Sequence, residues 1–192
     1  MPFKHPKNEY NAEKILTIMF MLIVVTAVYG TRSVSAESRT PSEYQVKAAF
    51  LYNFAKFVEW PDTAFTSNSA PLNICILGNN PFNASLDDIR DKTVRGRPLS
   101  IRMNPDIDKL NQCHILFISA SEKNQLSYII QRLNNASVLT VADMEGFTSA
   151  GGMINLVMQD NKVSFDINLK SARLAGLKIS SRLLKLANTV RE

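Results

Sequence analysis

Cysteine, histidine and tryptophan are scarce: the 192 residues include two Cys, two His and one Trp. Two thiols are too few for a disulfide-stapled scaffold or a four-thiolate zinc site. Long basic runs are missing as well. The 22 Lys and Arg and 17 Asp and Glu are interspersed, so the net charge of +5 is not gathered into a stretch that tracks a phosphate backbone, and no nucleic-acid partner is expected. Neither a Gly-x-Ser-x-Gly elbow, a phosphate-binding glycine loop nor a His-Glu-x-x-His helix occurs. What is present is an ordinary globular mixture, 45% hydrophobic and 20% charged with eight Pro and seven Gly, which excludes wholesale disorder, collagen-like sequence and coiled coil.

Lys4, Lys7 and Lys14 precede an unbroken apolar run from Ile15 to Val28, shorter than the roughly 20 residues a bilayer span needs and of the length of a secretory h-region. Val34-Ser35-Ala36 then supplies the small residues a signal peptidase reads, so the sequence predicts export and cleavage after Ala36. No cysteine follows the run closely to carry a lipid. Residues 37–192 are of a length for one domain that folds without covalent staples.

Thr40-Pro41-Ser42-Glu43 reads as a helix start, with Thr40 as the hydroxyl cap, proline at the first helical position and Glu43 three residues on. Val46, Phe50, Phe54, Phe57 and Val58 then recur on one helical face, expected to pack across a sheet, and Trp60-Pro61 ends the pattern. Leu72–Leu77 and His114–Ile118 are short apolar runs of the kind buried on both faces of a parallel sheet. Between them lie a short helix over Pro81–Arg90, an edge-like strand over Leu99–Met103 and a helical turn over Asp106–Asn111. A helix over Glu122–Asn134 and a strand over Val138–Val141 follow. Met153–Gln159 and Lys162–Ile167, joined by Asp160-Asn161, read as a β-hairpin, and two helices over Leu169–Ala175 and Ser180–Val190 finish the chain. The last is expected to bury Ile179, Leu183, Leu186, Ala187 and Val190. This alternation predicts an α/β fold, a doubly wound, mostly parallel sheet flanked by helices with a C-terminal antiparallel hairpin.

Several segments together resemble the YfiR family of periplasmic regulators: Lys47 to Pro61 (KAAFLYNFAKFVEWP), Cys75 to Phe82 (CILGNNPF), Cys113 to Ser119 (CHILFIS) and most of the chain from Leu139 onward. The last stretch is the most specific, with Leu139-Thr140-Val141, Gly146-Phe147, Gly151 to Ile154, Phe165 to Asn168 and Ala172 to Leu184 in the family's order. The resemblance covers essentially all of residues 37–192. It implies a periplasmic domain without catalysis or cofactor that represses an inner-membrane diguanylate cyclase through that enzyme's periplasmic part. Cyclic di-GMP signalling and biofilm regulation would be lowered, and an outer-membrane lipoprotein would capture the regulator to relieve the restraint. Ala142-Asp143 stands where the family pattern has Gly-Asp, and Lys162-Val163-Ser164-Phe165 where members often read Arg-Val-Arg-Phe. The C-terminal region also lacks the second cysteine pair of some relatives, so redox behaviour attached to that pair does not carry over.

Cys75 and Cys113 fall in strands that are neighbours in the common 2-1-3 order, and export favours oxidation, so a disulfide contributing about 4 kcal/mol is one expectation. Two buried free thiols on strands out of register are the other. His114 opens an apolar strand at the end away from the loops where α/β ligands bind and is expected to be structural. The pairs Asp87-Asp88 and Asp106/Asp108 sit near helix starts with no histidine cluster, so no metal is expected. Loops leaving the C-terminal strand ends carry Asn79, Ser119 and Asp143, the candidates for a small-molecule effector site; Gly151-Gly152 reads as a backbone requirement rather than a phosphate cradle. The C-terminal cations Arg173, Lys178, Arg182 and Lys185 are the candidates for partner binding, with homodimer formation an open alternative.

Overall fold

The computed structural model describes residues 42–192, so the leader, its cleavage site and the cap assigned to Thr40 lie outside the described residues. Helix α1 (Glu43–Phe57) begins at Ser42, whose side chain accepts from the Gln45 N–H while the Gln45 side chain accepts from the Ser42 N–H. The capping box is therefore Ser42/Gln45 rather than Thr40/Glu43, because Gln45 is the residue three positions inside a helix that starts at Glu43. The buried face of α1 runs through Lys47, Ala48, Leu51, Phe54 and Ala55. Val46, Phe50 and Phe57 lie at its border, half-buried, because the buried stripe is centred on Ala48, Leu51, Phe54 and Ala55. Phe50 and Phe54 meet Phe165 edge to face, at centroid distances of 5.4 and 5.3 Å.

A short β1 (Val58–Glu59) follows α1, and the main sheet is built from β2 (Leu72–Leu77), β3 (Thr93–Val94), β4 (Arg97–Met103), β5 (Ile115–Ile118), β6 (Leu139–Ala142), β7 (Ile154–Gln159), β8 (Lys162–Asn168) and β10 (Thr189–Arg191). These eight strands lie in the order β3-β4-β2-β5-β6-β7-β8-β10. β4, β2, β5, β6 and β7 are mutually parallel, and β7 and β8 form the antiparallel hairpin. Its turn residues Asp160 and Asn161 have φ of 49° and 59°, the left-handed pair that a two-residue turn requires. The predicted α/β class thus holds.

Both faces of the sheet are buried. Ile74, Ile76, Ile115 and Phe117 point into one core with α1, α3 (Leu169–Leu174) and α4 (Ser181–Leu184). Cys75, Leu116 and Ile118 point into the other, with α2 (Leu126–Arg132) and the 3-10 helix Ile107–Gln112. The expected helix over Pro81–Arg90 is one 3-10 segment, Asn83–Leu86, and the expected helix over Glu122–Asn134 begins as a 3-10 segment at Ala120.

The C-terminus departs most from expectation. Instead of one helix over Ser180–Val190, α4 ends at Leu184 and the chain turns into β10, parallel to β8 with Val190 opposite Ile167. Asn188 makes the turn, donating its N–H to the Phe165 carbonyl and its side-chain amide to Asp166 Oδ1. The open edge of β8 offers backbone partners to the β-branched pair Thr189-Val190, which is better strand than helix material. In consequence Leu183 is buried, but Leu186 is 63% and Val190 37% exposed. Ile179 joins β9 (Lys178–Ile179), which pairs antiparallel with β1.

Candidate functional site

The segment after β2 returns to β4 across the first core, through Phe82, Leu86 and Ile89, whereas the segment after β5 passes to β6 across the second, through Leu126, Ile129 and Leu133. The chain therefore parts to opposite faces between β2 and β5, where an open α/β sheet leaves a crevice beyond its carboxyl edge. That crevice, of about 310 Å³, is lined by Tyr44, Asn79, Asn80, Pro81, Ser119, Ala120, Ser121 and Asp143. The structure brings all three predicted effector-site residues, Asn79, Ser119 and Asp143, to its wall.

Gly78 makes the wall possible. Its φ is +87°, and an added Cβ would lie 2.6 Å from Glu122 Oε1 and against Ser121 Oγ. Ser121 Oγ accepts from the Asn79 N–H and donates to Glu122, tying the two loops together. Ser119 is only 6% exposed, and among the described residues its hydroxyl has no hydrogen-bond partner.

Beneath the crevice lies an ion pair between α1 and the loop after β6, formed by residues 96 apart in sequence. Lys47 Nζ sits 2.6 Å from Asp143 Oδ2 and 2.5 Å from Glu43, with the Lys47 and Asp143 side chains 5% and 8% exposed. Tyr44 donates its hydroxyl to the same Asp143 oxygen at 3.0 Å, and the Lys47 ammonium lies 4.4 Å from the Tyr44 ring centroid. Burial would lower the Lys47 pKa, but its hydrogen bonds to Asp143 and Glu43 win and raise it. Burial, then the Asp143 hydrogen bond, raise that of Tyr44. The i, i+4 spacing of Glu43 and Lys47 was a visible signal for part of this cluster; Asp143, 96 residues away, was not.

Below the same strands, Cys75 and Cys113 are joined as a disulfide with Cα atoms 5.9 Å apart. Cys113 is the residue before His114, whose backbone enters the β2–β5 ladder through the His114 N–H to the Asn73 carbonyl. The His114 ring accepts from the Asn73 N–H at Nδ1, 3.0 Å, and donates from Nε2 to the Ala64 carbonyl, 3.1 Å. It stacks on Phe65 at 4.3 Å, and the Arg97 guanidinium lies 3.8 Å from the Phe65 ring centroid. Burial, with the charges of Arg97 and Arg102, pushes the His114 pKa down to about 4. A groove of about 550 Å³ runs past this ring, yet both ring nitrogens are spent on backbone groups, the pattern of a structural histidine.

The acidic pairs are separate capping and surface groups: Asp106 accepts from the Asp108 N–H, Asp108 pairs with Arg132, and Asp87 pairs with Arg90. Among the described residues no group of three or more His, Cys, Asp or Glu is placed to hold a metal, and no helix is long and apolar enough to cross a membrane. Gly151 has φ +98°, and a Cβ on Gly152 would collide with the Phe147 ring, so both glycines answer to backbone and packing. Of the basic candidates, Arg173 lies 3.8 Å from Glu192. Lys178 is paired in register with Glu59 across β9 and β1, Arg182 reaches the Phe57 ring at 6.0 Å, and Lys185 is exposed just beyond α4.

Among solved structures, the chain is similar to a conserved domain protein of Vibrio cholerae O1 biovar eltor, with a TM-score of 0.52 and 10% identity over 78% of this chain and 60% of that one. A second neighbour is an ABC domain from Streptococcus pneumonia in complex with L-Trp, with a TM-score of 0.48 and 12% identity over 77% of this chain and 60% of that one. The chain thus spans 60% of each neighbour's length. The first likeness is one of fold. A family model described as YfiR/HmsC-like matches residues 44–188, from the first turn of α1 to the threshold of β10, and the chain therefore belongs to the YfiR/HmsC-like family.

Proposed function

We propose that this protein is an exported regulator, a leader ending at Ala36 followed by one α/β domain, that binds the periplasmic part of an inner-membrane diguanylate cyclase and lowers cyclic di-GMP output. The observation that carries this reading is the family match across residues 44–188. The chemistry of the domain supports it: the one histidine among the described residues is committed to backbone, the buried acid at the crevice is committed to Lys47, and exposed cations gather on α3, β9 and α4. Such a surface suits recognition of a macromolecule through approach and orientation, with release by a competing outer-membrane lipoprotein. Deleting the gene should raise cellular cyclic di-GMP, and expressing the exported chain should lower it again. Unchanged levels in cells that make a candidate cyclase would overturn the reading.

A second reading, an effector site in the crevice, is favoured by the unpartnered Ser119 hydroxyl. Both polar contacts of Asp143 use Oδ2, which leaves Oδ1 as an acceptor, and Glu43 and Glu122 outweigh Lys47 in local charge. The site therefore selects small ligands with hydrogen-bond donors or an ammonium group. Titration with ethanolamine and glucosamine, followed by thermal shift, tests it: saturable stabilisation lost in Ser119→Ala is expected, and no stabilisation by either probe would overturn it.

A further inference from the structure

Outside the crevice, the C-terminal half of α1 carries a second arrangement. Lys56 Nζ lies 5.2 Å from the Tyr52 ring centroid, and Lys92 Nζ, from the turn before β3, lies 5.0 Å from the same ring. Lys56 also lies 6.0 Å from the Phe57 centroid, where the Arg182 guanidinium arrives from α4 at the same distance. Arg95 donates to the Lys56 carbonyl at 3.3 Å and lies 3.4 Å from Glu59. Three segments distant in sequence thus bring three cations onto two half-buried rings, with Arg95 beside them. Among the described residues Lys56, Lys92 and Arg182 have no carboxylate within 4 Å, and Glu59, which serves Arg95, is the patch's one ion-paired acid. Asp91 adjoins Lys92 in sequence without pairing with it.

Exposed cations of one sign gathered on one face repel each other, and ring quadrupoles offset only part of that cost. Folding alone gives no reason to gather them. A carboxylate-bearing partner does, because it relieves the repulsion while the ring faces supply apolar contact. An anionic bilayer would offer the same charge, but interfacial binding also needs a protruding apolar side chain to enter the headgroup region, and neither Tyr52 nor Phe57 protrudes. We infer that this surface, formed by Tyr52, Lys56, Phe57, Lys92, Arg95 and Arg182, docks an acidic polypeptide segment of the regulated membrane protein. The inference rests on the regulator reading and names its contact surface; of the C-terminal candidates it takes in Arg182.

The test combines Lys56→Glu, Lys92→Glu and Arg182→Glu in one chain, against a control reversing Lys109, Lys123 and Arg132, which belong to elements on the opposite face of the sheet. Binding to the purified periplasmic part of the cyclase should fall by about 30-fold in the first triple and lose most of its salt dependence, and cyclic di-GMP should rise toward the deletion level. The control should match the wild type in binding and in cyclic di-GMP, its stability lowered only by loss of the surface pairs Arg132–Asp108 and Lys109–Asp106. Because the reversed groups are exposed, the triple should still fold, which a cooperative thermal transition checks. A folded triple that binds and restrains like the wild type would overturn the surface while leaving the regulator reading intact. A wild-type chain that neither binds the cyclase nor changes cyclic di-GMP would overturn both. Flotation with phosphatidylethanolamine vesicles containing phosphatidylglycerol supplies the remaining arm: vesicle binding lost in the triple, with cyclase binding retained, would assign the patch to lipid.

Discussion

The two ends of β5 differ in what their polar groups are given to do. At the lower end His114 has both ring nitrogens bonded to backbone, a ring stacked on it and a disulfide beside it; at the upper end Ser119, just as buried, has a hydroxyl bonded to nothing among the described residues. Among the described residues the one fully buried side-chain polar atom without a partner is Asn73 Oδ1, at the lower end, so the Ser119 hydroxyl keeps some access to solvent in the crevice. A buried polar group that is paired contributes to stability, and one left unpaired costs stability unless something else uses it. The lower end, with its paired ring and its disulfide, is therefore a part of the sheet that holds the fold, whereas the Ser119 hydroxyl at the upper end faces the crevice.

The largest expected effect comes from cutting the lower end covalently. The Cys75–Cys113 bridge closes a separation of 38 residues, so Cys75→Ala/Cys113→Ala should lose about 4 kcal/mol of unfolding free energy in urea. The oxidised wild type should show no alkylatable thiol before denaturation and reduction. A loss under about 1 kcal/mol would mean that the unfolded chain gains little freedom and that the lower end owes its order to the His114 network instead.

Next is pH. His114 titrates near 4 in the fold against an ordinary 6.5, so between those values the unfolded chain binds the extra proton and the native state does not. Stability from this group is complete above about 6.5 and is lost as pH falls toward 4, roughly 3 kcal/mol across the window. Urea midpoints at a series of pH values should show the decline, and His114→Gln should flatten that component. A wild-type profile with no decline between pH 6.5 and 4 would erase the distinction between a committed histidine and an ordinary surface one.

The parallel sheet was legible in the sequence because it rests on local patterns, whereas at the lower end the sequence left the Cys75–Cys113 bridge open and offered no signal for Ala64 and Phe65 as partners of His114. The apolar run Leu72–Leu77 became β2 with the same limits, and Asp160-Asn161 became the hairpin turn. The signal failed where a distant partner decides. Leu183, Leu186 and Val190 keep helical spacing, but the free edge of β8 captures Thr189–Arg191 as a strand. Lys47 looks like a surface cation until Asp143 arrives beneath it, and nothing local to Lys56, Lys92 and Arg182 says that they share two rings. Of the crevice, the strand-end rule pointed to Asn79, Ser119 and Asp143, whereas Tyr44 and Lys47 come from a helix that precedes the sheet in sequence.

The smallest effect is the most diagnostic. Ser119→Ala removes a hydroxyl that makes no bond among the described residues and faces the crevice, so it should change unfolding free energy by no more than about 0.5 kcal/mol in either direction. At the other end of the strand, His114→Ala strands the Asn73 N–H and the Ala64 carbonyl and should cost several times as much. Equal costs for the two substitutions would mean that Ser119 is held by contacts of its own.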